Sequence, residues 1–573
     1  MEIRTTVKDF FSELLQRQQT LWFSMSIVVA LGYSLLAWQQ AFSSEYVVQD
    51  DARQHVFWML RFVDGELFPD DLIADYFQSV APLGYTNLYK LAAALGIDPL
   101  LFNKLLPLGL AAIATGFLFA LCLEIFPVPA AGFLSALIFN LSLWTKEDLV
   151  SATPRAFIYP FLLAFCYYLL KRKFVPTLAA IALQGLFYPQ GIFIIAGVLL
   201  LRLFRWRSGK IRLSGSRQDY WFCLTGLGVA LIVLLPFALT TSEYGPVISA
   251  ADAKILPEFL PGGRAEFFLK NPWEFWLLAT RSGIFASKLL LLLTIVDVVI
   301  IGLLLHYRSQ LPMLRQINNK IVLLPQLLLA SLGIFCLAHL TLYKLHLPSR
   351  YTQHSLRIIL ALVMGIALTI FYDALVAHFS EHKLGKLRAE TIIAFSSLIL
   401  VAGVAIFPAI ANDDFPKTIY RIGNAPTLYE FFAQTPKDSL IASLSLETNN
   451  IPTFSQRSVL TNREAGVPYH TGYYRQYRQR TIELIAASYS HDLKDIKNLI
   501  SKYGIDFYFL EDNFTTPQYL SEQNWLEQFP LVDTIEAKLA QGIMPALTTL
   551  SPTCTVFQGE GYTILSAECI LAN

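Results

Sequence analysis

The chain has 573 residues, of which 54% are hydrophobic and only 15% are charged. Soluble domains usually carry about 25% charged residues, so this composition excludes an ordinary soluble protein and predicts an α-helical integral membrane protein. The formal net charge of +1 gives no reason to expect a nucleic-acid partner.

Long apolar runs predict about eleven transmembrane helices, because each run is long enough, or nearly so, to cross a hydrocarbon core of about 30 Å. The runs lie at residues 21–42, 100–126, 130–144, 156–170, 174–188, 191–204, 220–240, 286–306, 321–343, 356–378 and 391–410. The fifth and sixth runs are separated only by a tight break at Tyr188-Pro189-Gln190. We therefore predict a transmembrane domain at residues 1–410.

Basic residues in the short loops predict the orientation, since Lys and Arg favour the cytoplasmic side of a membrane. Four basic clusters fall in alternate loops, at residues 171–173, 202–212, 308–320 and 383–388. The N-terminus is therefore predicted to lie in the cytoplasm, and the protein is predicted to be integral to the cytoplasmic (cell inner) membrane. The predicted outer loops are 43–98, 145–155, 241–285 and 344–355.

Residues 411–573 change character, because they contain no apolar run long enough to cross a membrane. Five segments have the patterns of strands or helices: strands at 439–445, 458–460 and 506–510, and helices at 476–488 and 492–503. We predict a small extracytoplasmic α/β domain. Cys554 and Cys569 lie alone in it, and the turn at Gly559-Glu560 would not place them directly opposite each other, so their pairing is left open.

Two adjacent acids, Asp50 and Asp51, open the first outer loop. A helical pattern follows through Val56 and Leu60, and we interpret it as a helix lying along the outer membrane surface, with Trp58 at interfacial depth. One of the acids would suit the N-cap of this helix. A carboxylate there would also suit a general base toward a hydroxyl, and the two roles are compatible because capping leaves one oxygen free.

The second outer loop contains Glu147 and Asp148, which are candidates for a metal site or for an ordinary solvated loop end. Adjacent acids on a helix point about 100° apart and chelate one ion poorly. Arg155 follows closer to the membrane, where it would meet an anionic head group.

The last predicted outer loop is basic on the side where clustered positive charge is disfavoured. It contains Lys344, Arg350 and Tyr351, and Arg357 follows in the next apolar run. Two interpretations remain open. Arginine offers a planar fork of donors that suits a lipid-linked phosphate, and basic side chains at a helix end also extend toward anionic lipid.

This layout resembles the GT-C superfamily of membrane glycosyltransferases, which includes protein O-mannosyltransferases, aminoarabinose transferases and oligosaccharyltransferases. Several members have Asp-Glu in the first outer loop, where this chain has Asp50-Asp51, and an Arg-Tyr pair in a late outer loop, similar to Arg350-Tyr351. Metal-dependent members keep Asp-x-Asp or Asp-x-Glu in the second outer loop. Glu147 and Asp148 are adjacent and depart from that pattern, which leaves metal use in doubt.

The resemblance implies an inverting glycosyltransferase that moves a sugar from a polyprenyl-phosphate donor to a glycan, lipid or protein acceptor on the outer face. Asp50 would be the catalytic base, with Asp51 or His55 tuning it. The residues expected to bind the donor phosphate are Arg350, Tyr351, Lys344, Arg357 and Arg155. The cofactor is left open: Glu147 and Asp148 are the candidates for a divalent metal, and we expect none.

A different class of function is a transporter or flippase of lipid-linked glycan without catalytic activity. Transporters usually place ionisable residues at the middle of their spans. The main charged residues in the predicted spans, Asp297 and Asp373, are expected near cytoplasmic ends. Acids are instead concentrated in the outer loops, which favours an enzyme.

Overall fold

The computed structural model describes residues 18–207, 209–239, 243–381, 414–523 and 525–573, together with 403, 406 and 410. The first ten predicted apolar runs form helices. We number them in chain order: α1 (Gln19–Ala41), α2 (Pro99–Ile125), α3 (Pro129–Leu143), α4 (Ile158–Leu170), α5 (Phe174–Phe187), α6 (Gln190–Leu201), α7 (Arg217–Leu239), α8 (Lys288–His306), α9 (Leu323–Leu340) and α10 (Ser349–Glu381). The eleventh run, at 391–410, lies largely outside the described residues, and the basic cluster at 383–388 lies wholly outside them.

Six of these helices, α1, α2 and α7 to α10, are long and apolar enough to cross a membrane within the described part of the chain. The other four, α3 to α6, are shorter, with 12 to 15 residues. The protein is therefore an integral membrane protein, and the total of about eleven spans stays a prediction.

Some of these helices begin at a residue whose side chain accepts hydrogen bonds from the first backbone N–H groups. The Asp98 side chain accepts the N–H groups of Leu100 and Leu101 at 2.8 and 3.0 Å, and Pro99 fills the first position of α2. The Ser287 hydroxyl accepts the N–H of Leu290 at the start of α8. These caps satisfy backbone donors that would otherwise be left without partners at the ends of the helices.

Helix α10 packs closely against α3. A Cβ atom on Gly365 would lie only 2.7 Å from the Cα atom of Ser135, so no larger residue fits at this position of α10 without a shift. This close approach brings the first turns of α10 beside the loop that follows α3.

The start of α10 differs from the prediction. The apolar run begins at residue 356, but the helix begins at Ser349, directly after Pro348. Hydropathy failed here because Gln353, His354 and Ser355 are polar and yet fully buried. Much of the predicted loop 344–355 is therefore the first two turns of a buried helix.

Four loops lie at one end of the helices. We call them the first loop (42–98, between α1 and α2), the second loop (144–157, between α3 and α4), the third loop (240–287, between α7 and α8) and the fourth loop (341–348, between α9 and α10). Their short helices are Ala52–His55, Phe57–Phe62, Leu72–Ser79, Leu83–Ala94, Pro154–Phe157, Ala250–Ala253, Pro257–Phe259 and Glu274–Leu278. Further short elements at 204–322 are strands β2 (Phe204–Arg207) and β3 (Lys210–Leu213), and helices Pro312–Gln316 and Asn319–Val322.

The prediction of a surface helix after Asp51 is wrong. The helix Ala52–His55 is only one turn long, and a tighter 3-10 helix follows it at Phe57–Phe62. Trp58 and Met59 are fully buried. The run from Val56 to Leu60 is continuously apolar and has no polar face, so it packs inside the protein.

The C-terminal region is built around a five-stranded sheet of order β6-β5-β7-β9-β8. Its strands are β5 (Leu440–Ala442), β6 (Ser458–Val459), β7 (Phe507–Glu511), β8 (Thr555–Gly559) and β9 (Tyr562–Ser566). β5 is parallel to both β6 and β7, whereas β9 is antiparallel to β7 and β8. The strands predicted near residues 440, 458 and 507 are confirmed.

Helices surround this sheet, and a separate apolar core lies beneath them. They are Pro426–Ala433, Leu446–Asn449, Ile451–Phe454, Arg463–Ala465, Thr471–Ser488, Leu493–Tyr503, Pro517–Glu522, Leu531–Ala540, Leu547–Cys554 and Ala567–Ala572. The region is attached to the first loop, because β1 (Val47–Gln49) pairs antiparallel with β4 (Tyr420–Ile422). The two predicted helices near 476–488 and 492–503 are present.

Cys554 and Cys569 form a disulfide, with 5.4 Å between their Cα atoms. Cys554 ends one helix and Cys569 lies in the next, so the pair flanks the β8–β9 hairpin from outside its paired residues. The hairpin register alone did not predict the pairing. The helices on either side of the hairpin bring the two cysteines close enough to bond.

Candidate active site

Asp50 lies directly after β1, where the first loop meets the C-terminal region. Its Oδ1 atom accepts hydrogen bonds from Arg53 and from Nε of Arg421, the latter at 2.8 Å. Among the described residues, none donates to its Oδ2 atom. Burial would raise the pKa of Asp50, but the charges of Arg53, Arg421 and Arg264 outweigh burial and lower it. Asp50 is thus an ionised carboxylate with one available oxygen.

Asp51 occupies the N-cap position of the helix Ala52–His55, but its side chain caps no backbone N–H. The N–H groups of Gln54 and His55 bond to its backbone carbonyl instead. The Asp51 carboxylate pairs with Nη2 of Arg155. The prediction that an acid side chain caps this helix is therefore wrong, and both carboxylates are used for other contacts.

Arg155 joins the first loop to the second. It lies in the one-turn helix Pro154–Phe157, which leads into α4. Besides its contact with Asp51, its Nη2 atom lies 3.4 Å from Oε1 of Glu147, and its Nε atom lies 3.5 Å from Oδ1 of Asp148. One guanidinium therefore faces two adjacent carboxylates of its own loop and a third from the distant first loop.

Asp148 is buried and faces three arginines. Besides Arg155, Nη1 of Arg350 lies 3.7 Å from its Oδ1 atom and Nη1 of Arg357 lies 3.5 Å from its Oδ2 atom. Burial would raise the pKa of Asp148, but the charges of Arg155, His354, Lys146 and Arg350 hold it well below the usual range. Asp148 is a fixed internal anion that connects the second loop to α10.

The two arginines of α10 differ in how many of their N–H donors are already bonded within the protein. Arg357 is 1% exposed and donates to the hydroxyl groups of Ser142 and Tyr159 as well as to Asp148. Arg350 is 17% exposed, and no described residue accepts a hydrogen bond from its guanidinium. Arg350 therefore keeps donors for a ligand, whereas Arg357 supports the protein.

Two of the predicted phosphate ligands lie apart from this cluster. Tyr351 is buried, and its hydroxyl donates to the backbone carbonyl of Leu345. Lys344 is exposed in the fourth loop and has no ion pair with any residue the structure describes. The structure gathers Arg155, Arg350 and Arg357 around one acid and leaves Lys344 and Tyr351 outside.

His55 is half-buried behind Asp51, with its ring edge-on to Phe77 at a centroid distance of 5.6 Å. Burial lowers the pKa of His55, although the charge of Asp51 acts in the opposite direction. A neutral imidazole beside an ion-paired acid suits the tuning role predicted for His55.

Sequence reasoning missed polar residues on both sides of the cluster. His354 is fully buried and its Nδ1 atom lies 2.9 Å from the Tyr159 hydroxyl. The signal was present, because Arg350, His354 and Arg357 recur at helical spacing and share one face of α10. Residues around Asp50 gave no such signal: they come from the third loop and the C-terminal region, and they are Arg264, Arg421, Asn450 and Glu464.

Glu464 connects those distant segments. It forms an ion pair with Arg264, accepts a hydrogen bond from Gln54 at 2.8 Å and lies 3.6 Å from Nη2 of Arg53. The second arginine donor, Nη1 of Arg53, bonds to Oδ1 of Asn450 at 3.0 Å. The C-terminal region thereby holds the arginine that in turn holds Asp50.

The predicted metal candidates, Glu147 and Asp148, do not fit a metal as they are arranged here. Within the described ranges, no group of three His, Cys, Asp or Glu side chains is placed to hold an ion. Both acids face Arg155, whose Nη2 atom also contacts Asp51. The cation between these carboxylates is a guanidinium.

No protein-family profile and no curated protein sequence matches this chain. Its structure is similar to the Archaeoglobus fulgidus oligosaccharyltransferase tethered with an acceptor peptide (13% identity, 91% of this chain and 72% of that chain, TM-score 0.55). It is also similar to the same organism's AglB in complex with an inhibitory peptide and a dolichol-phosphate (12% identity, 89% and 72%, TM-score 0.54). A third similar structure is ArnT from Cupriavidus metallidurans bound to undecaprenyl phosphate (13% identity, 96% and 98%, TM-score 0.49).

The two Archaeoglobus fulgidus structures are GT-C glycosyltransferases, so the resemblance predicted from the sequence is confirmed at the level of the fold alone. At identities of 12 to 13%, the similarity assigns no role to individual residues and identifies no substrate.

Proposed function

We propose that this chain is a GT-C glycosyltransferase that moves a sugar from a lipid-phosphate donor to an acceptor hydroxyl on the outer face of the cytoplasmic membrane. The observation that carries the proposal is one continuous line of contacts. It runs from Asp51 through Arg155 and Asp148 to Arg350. Asp51, the neighbour of the candidate base Asp50, is thereby connected to a candidate phosphate ligand from a distant part of the chain.

The fold supports a lipid-linked donor. The similar AglB structure contains a dolichol-phosphate, and the oligosaccharyltransferase structure is tethered to an acceptor peptide. Carried over to this chain, a polyprenyl phosphate would approach from the membrane beside α10, and the acceptor would approach from the water side beside Asp50. An acceptor of another class than a peptide would leave these two roles unchanged.

The state of Asp50 suggests how the acceptor is activated. Its lowered pKa keeps it ionised but makes it a weak base toward an intact hydroxyl. An attacking hydroxyl becomes acidic as its oxygen bonds to the anomeric carbon, and Oδ2 would take the proton at that stage. The bond from that carbon to the phosphate oxygen breaks on the opposite side, so the configuration inverts.

Arg350 is the residue best suited to the departing phosphate. Its guanidinium is partly exposed and ionised, and its donors are not consumed by the described residues. A planar fork of N–H donors stabilises the charge that develops on the phosphate oxygens. Asp148 contributes by holding Arg350 in place from behind.

One observation favours the second candidate, a transporter of lipid-linked glycan. Asp297 lies near the middle of α8 rather than near its end, contrary to the sequence prediction. It is 3% exposed, and neither carboxylate oxygen has a hydrogen bond to any described residue. Buried acids at mid-span are common in transport pathways.

The experiment that tests the proposal uses the purified full-length chain with polyprenyl-phosphate-linked sugars and membrane glycan, lipid and protein fractions as acceptors. Release of free polyprenyl phosphate is followed by mass spectrometry. Asp50→Asn should reduce release by roughly 10²-fold or more, because an amide accepts no proton from a hydroxyl. Asp51→Asn should cause a smaller loss.

The matched control is Asp70→Asn, the same change in the same loop. Asp70 is exposed and has a positive φ of 50°, a conformation that asparagine tolerates well. It should leave release unchanged. If Asp50→Asn released lipid phosphate at the wild-type rate while Asp297→Asn blocked translocation of the lipid-linked sugar, the transporter would be the better assignment.

A further inference from the structure

We infer that Arg155 is a built-in cation that takes the place of a divalent metal among Asp51, Glu147 and Asp148. Its Nη2 atom contacts Asp51 and lies 3.4 Å from Glu147, while Nε lies 3.5 Å from Asp148. The side chain is 15% exposed, so it is anchored in the cluster rather than lying over it. All three acids therefore already face the same positive charge, the guanidinium of Arg155.

Distance argues against an added metal ion. Divalent ions bind carboxylate oxygens at about 2.0–2.6 Å, so an ion shared by Asp51 and Glu147 would have to lie close to the Arg155 Nη2 atom, which already faces both acids. Two positive centres would then compete for the same oxygens in a poorly solvated place. An ion could enter only if the guanidinium left.

Charge balance gives the same answer. Three carboxylates, from Asp51, Glu147 and Asp148, face three guanidinium groups, from Arg155, Arg350 and Arg357. Lys146 adds a further positive charge near Asp148, so a divalent ion would add two positive charges to a cluster whose carboxylates are already balanced by cations. The pairing therefore removes the excess negative charge that attracts hard cations to carboxylate sites.

The consequence for catalysis rests on the proposed function. Arg155 lies between the acid beside the candidate base and Asp148, which holds Arg350. No described residue accepts a hydrogen bond from its Nη1 atom. It would supply a permanent positive charge near the departing phosphate, and transfer would need no divalent metal.

The binding part is tested without any activity assay, by titrating Mn²⁺ into the purified full-length protein and following free Mn²⁺ by electron paramagnetic resonance. The wild type should show no stoichiometric site. Arg155→Ala leaves Asp51 and Glu147 without a cation and should gain a site at least about tenfold tighter than any in the wild type. Arg155→Lys keeps the charge and should gain none.

A second substitution identifies the site. Asp51→Asn added to Arg155→Ala should remove the Mn²⁺ binding that the single change creates. A stoichiometric Mn²⁺ site in the wild type that Asp51→Asn or Glu147→Gln abolishes would overturn the inference. A folded Arg155→Ala variant that gains no site would also overturn it. If that variant does not fold, the wild-type titration and Arg155→Lys still decide.

The catalytic part uses chelation. Wild-type protein dialysed against EDTA should release polyprenyl phosphate at a rate within about twofold of the untreated protein. Loss of release that Mn²⁺ or Mg²⁺ restores would show a metal-dependent enzyme. If no donor turns over at all, the proposed function fails while the Mn²⁺ titration still tests the role of Arg155.

Discussion

The Arg155 guanidinium donates directly to the carboxylate of Asp51, although the two residues are 104 positions apart in the chain. This pair connects the loop after the first helix to the start of α4. Through Asp148, the same guanidinium is connected to Arg350 at the start of α10. Three segments that are separate in sequence, the first loop, the second loop and the start of α10, therefore share one electrostatic network.

Arg350→Ala should greatly reduce transfer from the native lipid-phosphate donor, because the change removes the available guanidinium beside Asp148. Arg350→Lys should reduce transfer less, since it keeps the charge and loses only the two-pronged donor geometry. The measurement is kcat/KM for release of polyprenyl phosphate. We expect kcat/KM to be highest for the wild type, lower for Arg350→Lys and lowest for Arg350→Ala.

The control for this series is Arg315→Ala. Arg315 is exposed and lies at the opposite end of α9 from Arg350. It should leave kcat/KM unchanged. If Arg350→Ala were as active as Arg315→Ala, Arg350 would not be a phosphate ligand.

Arg357→Ala should destabilise the protein rather than affect only catalysis. It removes one partner of a fully buried ion pair and leaves the Ser142 and Tyr159 hydroxyls without their donor. Breaking such a pair costs about 3–5 kcal/mol. The measurement is thermal unfolding of the detergent-purified protein, with the exposed Arg308→Ala as control. An Arg357→Ala variant as stable as Arg308→Ala would contradict the structural role.

The acidic limb of the pH profile of transfer should depend on the arginines around Asp50, because their charges lower the pKa of its carboxyl group. The folded-state pKa of Asp50 is lowered from its ordinary value of 3.8, so Asp50 stays ionised as the pH falls to that value. Its ion pairs stabilise the fold above the unfolded pKa, and that contribution is lost as pH falls through the folded pKa. In Arg421→Ala a nearby cation is lost, so the acidic limb of the kcat/KM profile should move to higher pH.

Arg463→Ala is the control for that shift, because Arg463 is an exposed arginine of the same C-terminal region. Its acidic limb should coincide with that of the wild type. An unchanged limb in Arg421→Ala would mean that a group other than Asp50 controls the acidic side of the profile.

The orientation of the chain is tested with a reporter that is active only outside the cytoplasm. A fusion after residue 420 should be active, and a fusion after residue 210, within the basic cluster at 202–212, should be silent. The basic loops motivate this prediction, since positively charged short loops stay in the cytoplasm. The opposite pattern would reverse the topology and place the candidate site on the cytoplasmic face.

The sequence by itself determined the membrane class, the positions of ten helices and the main strands of the C-terminal sheet. These follow from local patterns: the length of the apolar runs for the helices, and a run of aromatic residues followed by Leu510 for β7. The first-loop acids and Arg350 were also recognisable locally, as charges placed where the pattern did not require them.

Only the tertiary structure decided what those charges contact. Hydropathy placed the start of α10 at residue 356 instead of Ser349, because it cannot distinguish a polar residue in water from Gln353 or His354 buried inside the protein. It placed Trp58 at the membrane surface, although the run around it packs inside the protein. The pairing of Asp51 with Arg155 depends on how the first loop packs against the second loop, and such long-range electrostatic contacts leave no periodic signal in one sequence.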